Sequence, residues 1–214
     1  MKRTVIKILI SLMVISCSSS KNVVKIDKLD LLLNNNIKSG SNIEIDKGTY
    51  KLDTPLKLID KENVVINGNA STFIMQNGAD DVVFLGNCKN ITLMNFKATH
   101  IEPKGPIGCT GNVIHIEGGN DILIENCNLN GSGIVGIAAY QTQNLKVNNN
   151  FIHENSQYGI IYQGPGIEIN RNVFEDNTKG HIYFSHIDTS WPPKEKINTN
   201  QNKDGIKMSK NKFR

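Results

Sequence analysis

The sequence predicts an all-β solenoid, a chain wound into coils of short strands, on three observations. A phrase of the form apolar-x-apolar, followed by a polar pair rich in Asn, keeps returning. It stands at Ile43-Glu44-Ile45, Val64-Val65-Ile66, Ile91-Thr92-Leu93, Ile122-Leu123-Ile124, Leu145-Lys146-Val147, Ile167-Glu168-Ile169 and Ile206-Lys207-Met208, at steps of 21, 27, 31, 23, 22 and 39 residues. Self-similarity near 22 residues built from strand-length pieces is the mark of a coil. A second series runs beside it: Leu56/Leu58, Val83/Leu85, Ile114/Ile116, Ile137/Ala139, Ile160/Tyr162 and Ile182/Phe184, at steps of 27, 31, 23, 23 and 22. The two series lengthen together, which independent helices or hairpins would not do. The third observation is compositional. Asn is abundant and Ala scarce, and Asn favours tight turns over helix interiors.

The elements follow in order. Lys2, Arg3 and Lys7 precede a short apolar run over residues 8–15, too short to span a bilayer. Small residues then lead to Cys17, and this segment resembles a bacterial lipobox. The resemblance implies a leader over 1–16, cleavage before Cys17, and lipid on that residue anchoring the chain to a membrane of the cell envelope. Ser18-Ser19-Ser20-Lys21 opens a polar tether over 17–25, and a single domain occupies 26–214. Losing the three leader cations lowers the formal charge from +4 to +1. With basic residues scattered, nucleic acid is not an expected partner.

Apolar positions at 26, 29, 32, 33 and 37 suit one face of a short helix over 26–37, ended by Gly40. It is expected to cap the first coil, whose open strand edge would otherwise invite aggregation. A weaker third strand series is Tyr50/Leu52, Phe73/Met75, Phe96/Ala98, Leu129, Ile152, Phe174 and Phe213. Three strands per coil make a three-sided prism with side chains alternating inward and outward. Residues 99–111 and 187–205 interrupt the period as inserted loops and flank one face. The last coil, around Ile206, stops partway, so that either the 187–205 loop caps it, or the open coil pairs with a partner, or the chain is truncated there.

The chain resembles the right-handed parallel β-helix family of pectate-lyase-like proteins. Ile43-Glu44-Ile45-Asp46-Lys47-Gly48-Thr49-Tyr50 and Asn63-Val64-Val65-Ile66-Asn67-Gly68 carry the likeness. It implies a right-handed parallel β-helix of about six to seven coils. It also implies an Asn ladder after the second strand of each coil, which maps onto Asn95, Asn126 and Asn149. The series from Leu56 to Phe184 then resembles the family's first strand, whose outer face usually hosts the site. Such a fold is specific for architecture and unspecific for reaction.

Candidate chemistry lies on that outer face. With Ile114 and Ile116 inward, His115 and Glu117 point out, and later coils add Tyr140, Gln163, Tyr183 and Ser185. Carboxylate, phenol, amide and aromatic faces suit a glycan, with Tyr140, Gln163, Tyr183 and the loop residue Trp191 as binding candidates. His115, Glu117 and Tyr140, with His100 or Glu102 from the loop, are the set for proton transfer in a polysaccharide lyase or hydrolase. A family lyase would pair clustered carboxylates for calcium with an Arg base. Here the mature chain has only Arg171 and Arg214, and Asp80-Asp81 is weak support for calcium, so no metal or cofactor is expected. A glycosidase would want a second carboxylate near Glu117. Three function classes therefore stand: an envelope lipoprotein binding polysaccharide, a lyase or hydrolase, and a purely structural envelope protein. Three Cys remain after Cys17, and their spacing suits no zinc site. They allow a Cys109–Cys127 bridge or serve as small buried apolar groups.

Overall fold

Successive residues point alternately into the core and outward along the strands, and each coil returns the same pattern to the same height. In the computed structural model this yields three faces around one apolar column. The structure describes residues 28–101, 110–131, 134–185, 197, 199–203 and 205–214, with the backbone of 5–6.

Face one is a six-stranded parallel sheet of Leu56–Ile59, Val83–Gly86, Ile114–Glu117, Val135–Tyr140, Tyr158–Tyr162 and Gly180–Phe184. Its register pairs Leu56 with Val83, Val83 with Ile114, Ile114 with Ile137, Ile137 with Ile160 and Ile160 with Ile182. That is the expected series, residue for residue. Faces two and three form one bent sheet, because the strands Glu62–Met75 and Lys89–His100 run on through the corner between them. Face two continues through Asn120–Glu125, Gln143–Asn148, Ile167–Asn170 and Ile206–Ser209. Face three continues through Asn128–Asn130, Phe151–His153, Val173–Glu175 and Lys212–Phe213.

Two registers differ from the sequence expectation. Ile43 pairs with Ile66, so the first step is 23 residues rather than 21. On face three Phe73 pairs with Ala98, and Phe96 sits opposite Ser71. The cause is an irregularity between Asn67 and Ser71, where Asn69 and Ala70 adopt φ of 49° and 61°. Gly68 permits it, since a Cβ there would lie 2.5 Å from the Cβ of Phe96.

Inward residues such as Leu85, Ile116, Ile137, Val147 and Ile160 have no exposed surface. Each contributes about 1.5–3 kcal/mol relative to exposure. The corners explain the Asn. Asn63, Asn90, Asp121 and Asn144 turn the chain into face two with φ of 52–57°. Asn95, Asn126, Asn149, Arg171 and Lys210 turn it into face three with φ of 53–61°. Asn and Asp tolerate this left-handed conformation better than other side chains.

The predicted Asn ladder therefore needs a shift by one residue. Asn95, Asn126 and Asn149 are corner residues; the Asn95 and Asn149 amides reach outward to Asn67 and Glu125. The buried ladder is Asn150, Asn172 and Asn211, which are 2%, 0% and 7% exposed. Asn150 Nδ2 donates to Asn172 Oδ1 at 3.0 Å, and Asn172 Nδ2 to Asn211 Oδ1 at 3.0 Å. Each also donates to a core-strand carbonyl, of Ile124, Val147 or Ile169. Cys127 takes the ladder position one coil earlier, its amide donating to Asn150 Oδ1.

A helix, α1 (Leu29–Asn36), covers the first coil. Leu29 and Leu33 pack into the end of the column. Asp30, only 1% exposed, accepts bonds from the Asp53 and Thr54 amides and the Thr54 hydroxyl at 2.9–3.1 Å. Asn34 adds bonds to the Pro55 carbonyl and the Lys57 amide. The helix is held by polar clamps as well as by its apolar stripe.

Candidate functional site

Outward residues of face one form columns along the solenoid. Phe84, His115 and Ala138 lie at one height on successive coils, and Gly86, Glu117 and Tyr140 at the next. His115 is fixed from below. Its Nδ1 lies 2.8 Å from Asp81 Oδ2, while Asp81 Oδ1 accepts from the Asn112 amide and side chain at 2.8 and 2.9 Å. Its Nε2 is buried without a hydrogen-bond partner and lies 3.6 Å from Glu117 Oε2. Phe84 and Tyr140 flank the imidazole edge-on, with centroids 5.3 and 5.9 Å away. The side chains of His115 and Asp81 are 23% and 18% exposed, and that of Glu117 is 50% exposed.

These surroundings shift protons. The hydrogen bond to Asp81 raises His115 above its ordinary value against the opposing effect of burial, and the charges of Asp81 and Glu117 add to the rise. Burial alone would raise Asp81, but its bonds from His115 and Asn112 outweigh that and hold the carboxyl low. Burial, then the Glu117 and Asp81 carboxylates, push the Tyr140 phenol up. The result is a carboxylate-held imidazole with one nitrogen turned toward a second, half-exposed carboxylate. Such a group can donate or accept a proton, or hold a hydroxyl between His115 and Glu117.

The sequence candidates thus divide. His115, Glu117 and Tyr140 come together, and Gln163 is exposed one coil beyond Tyr140, its amide bonded to the Ala139 carbonyl. Tyr183 does not present a ring to solvent. It is 6% exposed and packs against Tyr158 at 5.6 Å, in an outer apolar cluster with Val135, Ala138 and Ile161. The face is polar at its middle coils and apolar further along. His100 is also no surface group. It is 1% exposed, with Nδ1 3.1 Å from the Gly131 carbonyl and Nε2 2.8 Å from the Asp80 carbonyl. It holds the turn that delivers Asp81, beside Gly111, where a Cβ would lie 2.0 Å from the Asp80 oxygen.

Asn112 and the bond from Asp81 to His115 are what the sequence reading missed, having weighed Asp81 only for calcium. Asp81 precedes its strand and pairs across a coil with a residue 34 positions later, outside any local motif. The readable signal was its column, since Asn112 stands at the matching place before the next strand.

Cys127 is a free, buried thiol whose Sγ lies 3.2 Å from the Glu125 carbonyl, and burial pushes it up to about 12. Cys17, Glu102, Cys109 and Trp191 lie outside the described residues. Among the described residues, no group of three or more His, Cys, Asp or Glu could hold a metal, and no helix is long and apolar enough to cross a membrane.

The family model described as a right handed beta helix region matches residues 15–213. The chain belongs to the right-handed β-helix family. No curated protein and no solved structure matches it. Membership accords with the parallel coils of this β-helix, and it leaves the chemistry of face one to the residues there.

Proposed function

We propose that this β-helix protein binds polysaccharide on face one, at the patch formed by His115, Glu117 and Tyr140, and does so at the cell envelope. The observation that carries the reading is the convergence of a held imidazole, a half-exposed carboxylate and a half-buried phenol ring on one outward surface. That set offers a sugar both hydrogen-bonding groups and an aromatic edge. Two carboxylates beside one imidazole favour a neutral glycan over an acidic one. Lipid on Cys17 would hold the domain at a membrane.

Acid–base catalysis at the same patch is the second reading, favoured by the bond between Asp81 and His115. Asp81 is occupied by three hydrogen bonds, so His115 and Glu117 would exchange the protons, with Tyr140 beside them. A hydrolase or lyase acting on polysaccharide is the class this serves.

The test uses the full-length protein against a panel of neutral and uronic-acid polysaccharides. Retention on a neutral glycan that falls about tenfold in Tyr140→Ala supports binding. Appearance of reducing ends or unsaturated product, lost in His115→Gln, supports catalysis. Absence of retention and of product across the panel leaves a structural role.

A further inference from the structure

A concave surface lies away from face one, at the corner between faces two and three. It is a groove of about 280 Å³ lined by Glu125, Asn148, Asn149, Glu168, Asn170, Arg171, Ser209 and Lys210. No aromatic or aliphatic side chain lines it, which sets it apart from a sugar-stacking cleft. Glu125, Asn148, Asn170 and Ser209 are successive rungs of one outward column, so the groove runs along the solenoid over four coils. At about 4.8 Å per rung it spans about 14 Å.

Charge is ordered along it. Glu125 stands at one end. Arg171 and Lys210 stand on consecutive coils at the other, and among the described residues neither makes an ion pair. Glu168 also lines the groove, on the coil of Arg171; its Oε1 is taken by the Asn170 amide, and Lys146 and Lys207 hold the matching places on the neighbouring coils. Amides fill the middle. Asn149 donates to Glu125 Oε1, Asn170 donates to Glu168, and Ser209 donates to Asn170. Asn148 Oδ1 is buried with no hydrogen-bond partner.

We propose that this groove binds a short peptide with both termini free, in extended form. The terminal ammonium would meet Glu125, the peptide backbone would lie along Asn148 and Asn149, and the terminal carboxylate would lie against Arg171 and Lys210. Three extended residues reach about 10 Å, which matches the two rungs between Glu125 and the coil of Arg171. Amides suit the middle because a peptide bond offers one donor and one acceptor to each Asn.

Titration of the full-length protein with trialanine, followed by calorimetry, tests this. Saturable binding is expected, weakened about tenfold by N-acetylation of the peptide and about tenfold by C-amidation. Arg171→Asn and Glu125→Gln should each weaken it to a similar degree. The first of these is compatible with folding, because Asn149 already occupies the same left-handed corner one coil away. Tyr140→Ala should leave the affinity unchanged, which separates this groove from the polysaccharide patch. Absence of saturable binding, equal affinity for the blocked peptides, or displacement of trialanine by trigalacturonate would overturn the assignment.

Discussion

His115 owes its character to neighbours on three coils. Asp81 approaches from the preceding turn, Glu117 stands two residues along the same strand, and Tyr140 comes from the next coil. Because folding raises the His115 pKa, its contribution to stability is complete below the unfolded value near ~6.5 and fades as pH rises through the folded one. Asp81 has the opposite sign. Its folded value is lowered, so its contribution is present above the unfolded value of ~3.9 and is lost as pH falls through the folded one. The charged pair is therefore whole between those two folded values. The stability difference between wild type and His115→Gln should be largest near about pH 6 and should shrink by about pH 9, as read by urea melts across pH. Asp81→Asn should bring the His115 titration, followed by proton NMR, down toward the ordinary histidine value. An unchanged midpoint would mean that Asp81 does not govern it.

At the scale of the element, the corners and the ladder divide the work. A corner Asn is chosen for its backbone: φ of 57° at Asn149 costs a non-Gly, non-Asn residue strain. A ladder Asn is chosen for its amide, which joins two coils and satisfies a buried carbonyl. Asn172→Ala should cost about 1–3 kcal/mol, because it leaves buried partners on Asn150 and Asn211 unmet. Asn149→Gly should cost only a few tenths to about 1 kcal/mol, since Gly accepts the turn. Chemical melts of the two variants compare them, and equal losses would return the ladder to the corner column. In the core columns, Ile137→Ala or Ile160→Ala should cost about 2–5 kcal/mol, since neither side chain has exposed surface and the neighbouring coils limit collapse. The strand series on face one was readable in full, because its period of two survives every change in coil length. The face-three series slipped by two at Phe96, because the extra residues after Asn67 change the register without changing the apolar pattern. The first step read as 21 residues when Ile43 pairs 23 residues away, because a shift by two leaves a period-two apolar pattern unchanged.

For the whole molecule, the end cap covers the first coil. α1 is fastened to the first coil by Leu29, Leu33 and the buried Asp30. Asp30→Ala removes three bonds at once and should lower stability by about 1–3 kcal/mol and raise the population of higher oligomers in light scattering. A variant that stays as stable and as dispersed as wild type would show that the apolar stripe alone holds the cap.

The sequence by itself determined the coil, the three faces, the parallel pairing of face one and the presence of a capping helix. Those follow from local periodicity, which depends on neighbours two residues apart and on a repeat near 22. It also put His115, Glu117 and Tyr140 on one outward surface. Tertiary structure alone decided that Asp81 clamps His115, that His100 is an interior brace, that Tyr183 is buried and that the ladder is Asn150, Asn172 and Asn211. Each of these depends on where a turn sets its side chain against another coil, some 20 to 40 residues away, and periodicity carries no information about that approach.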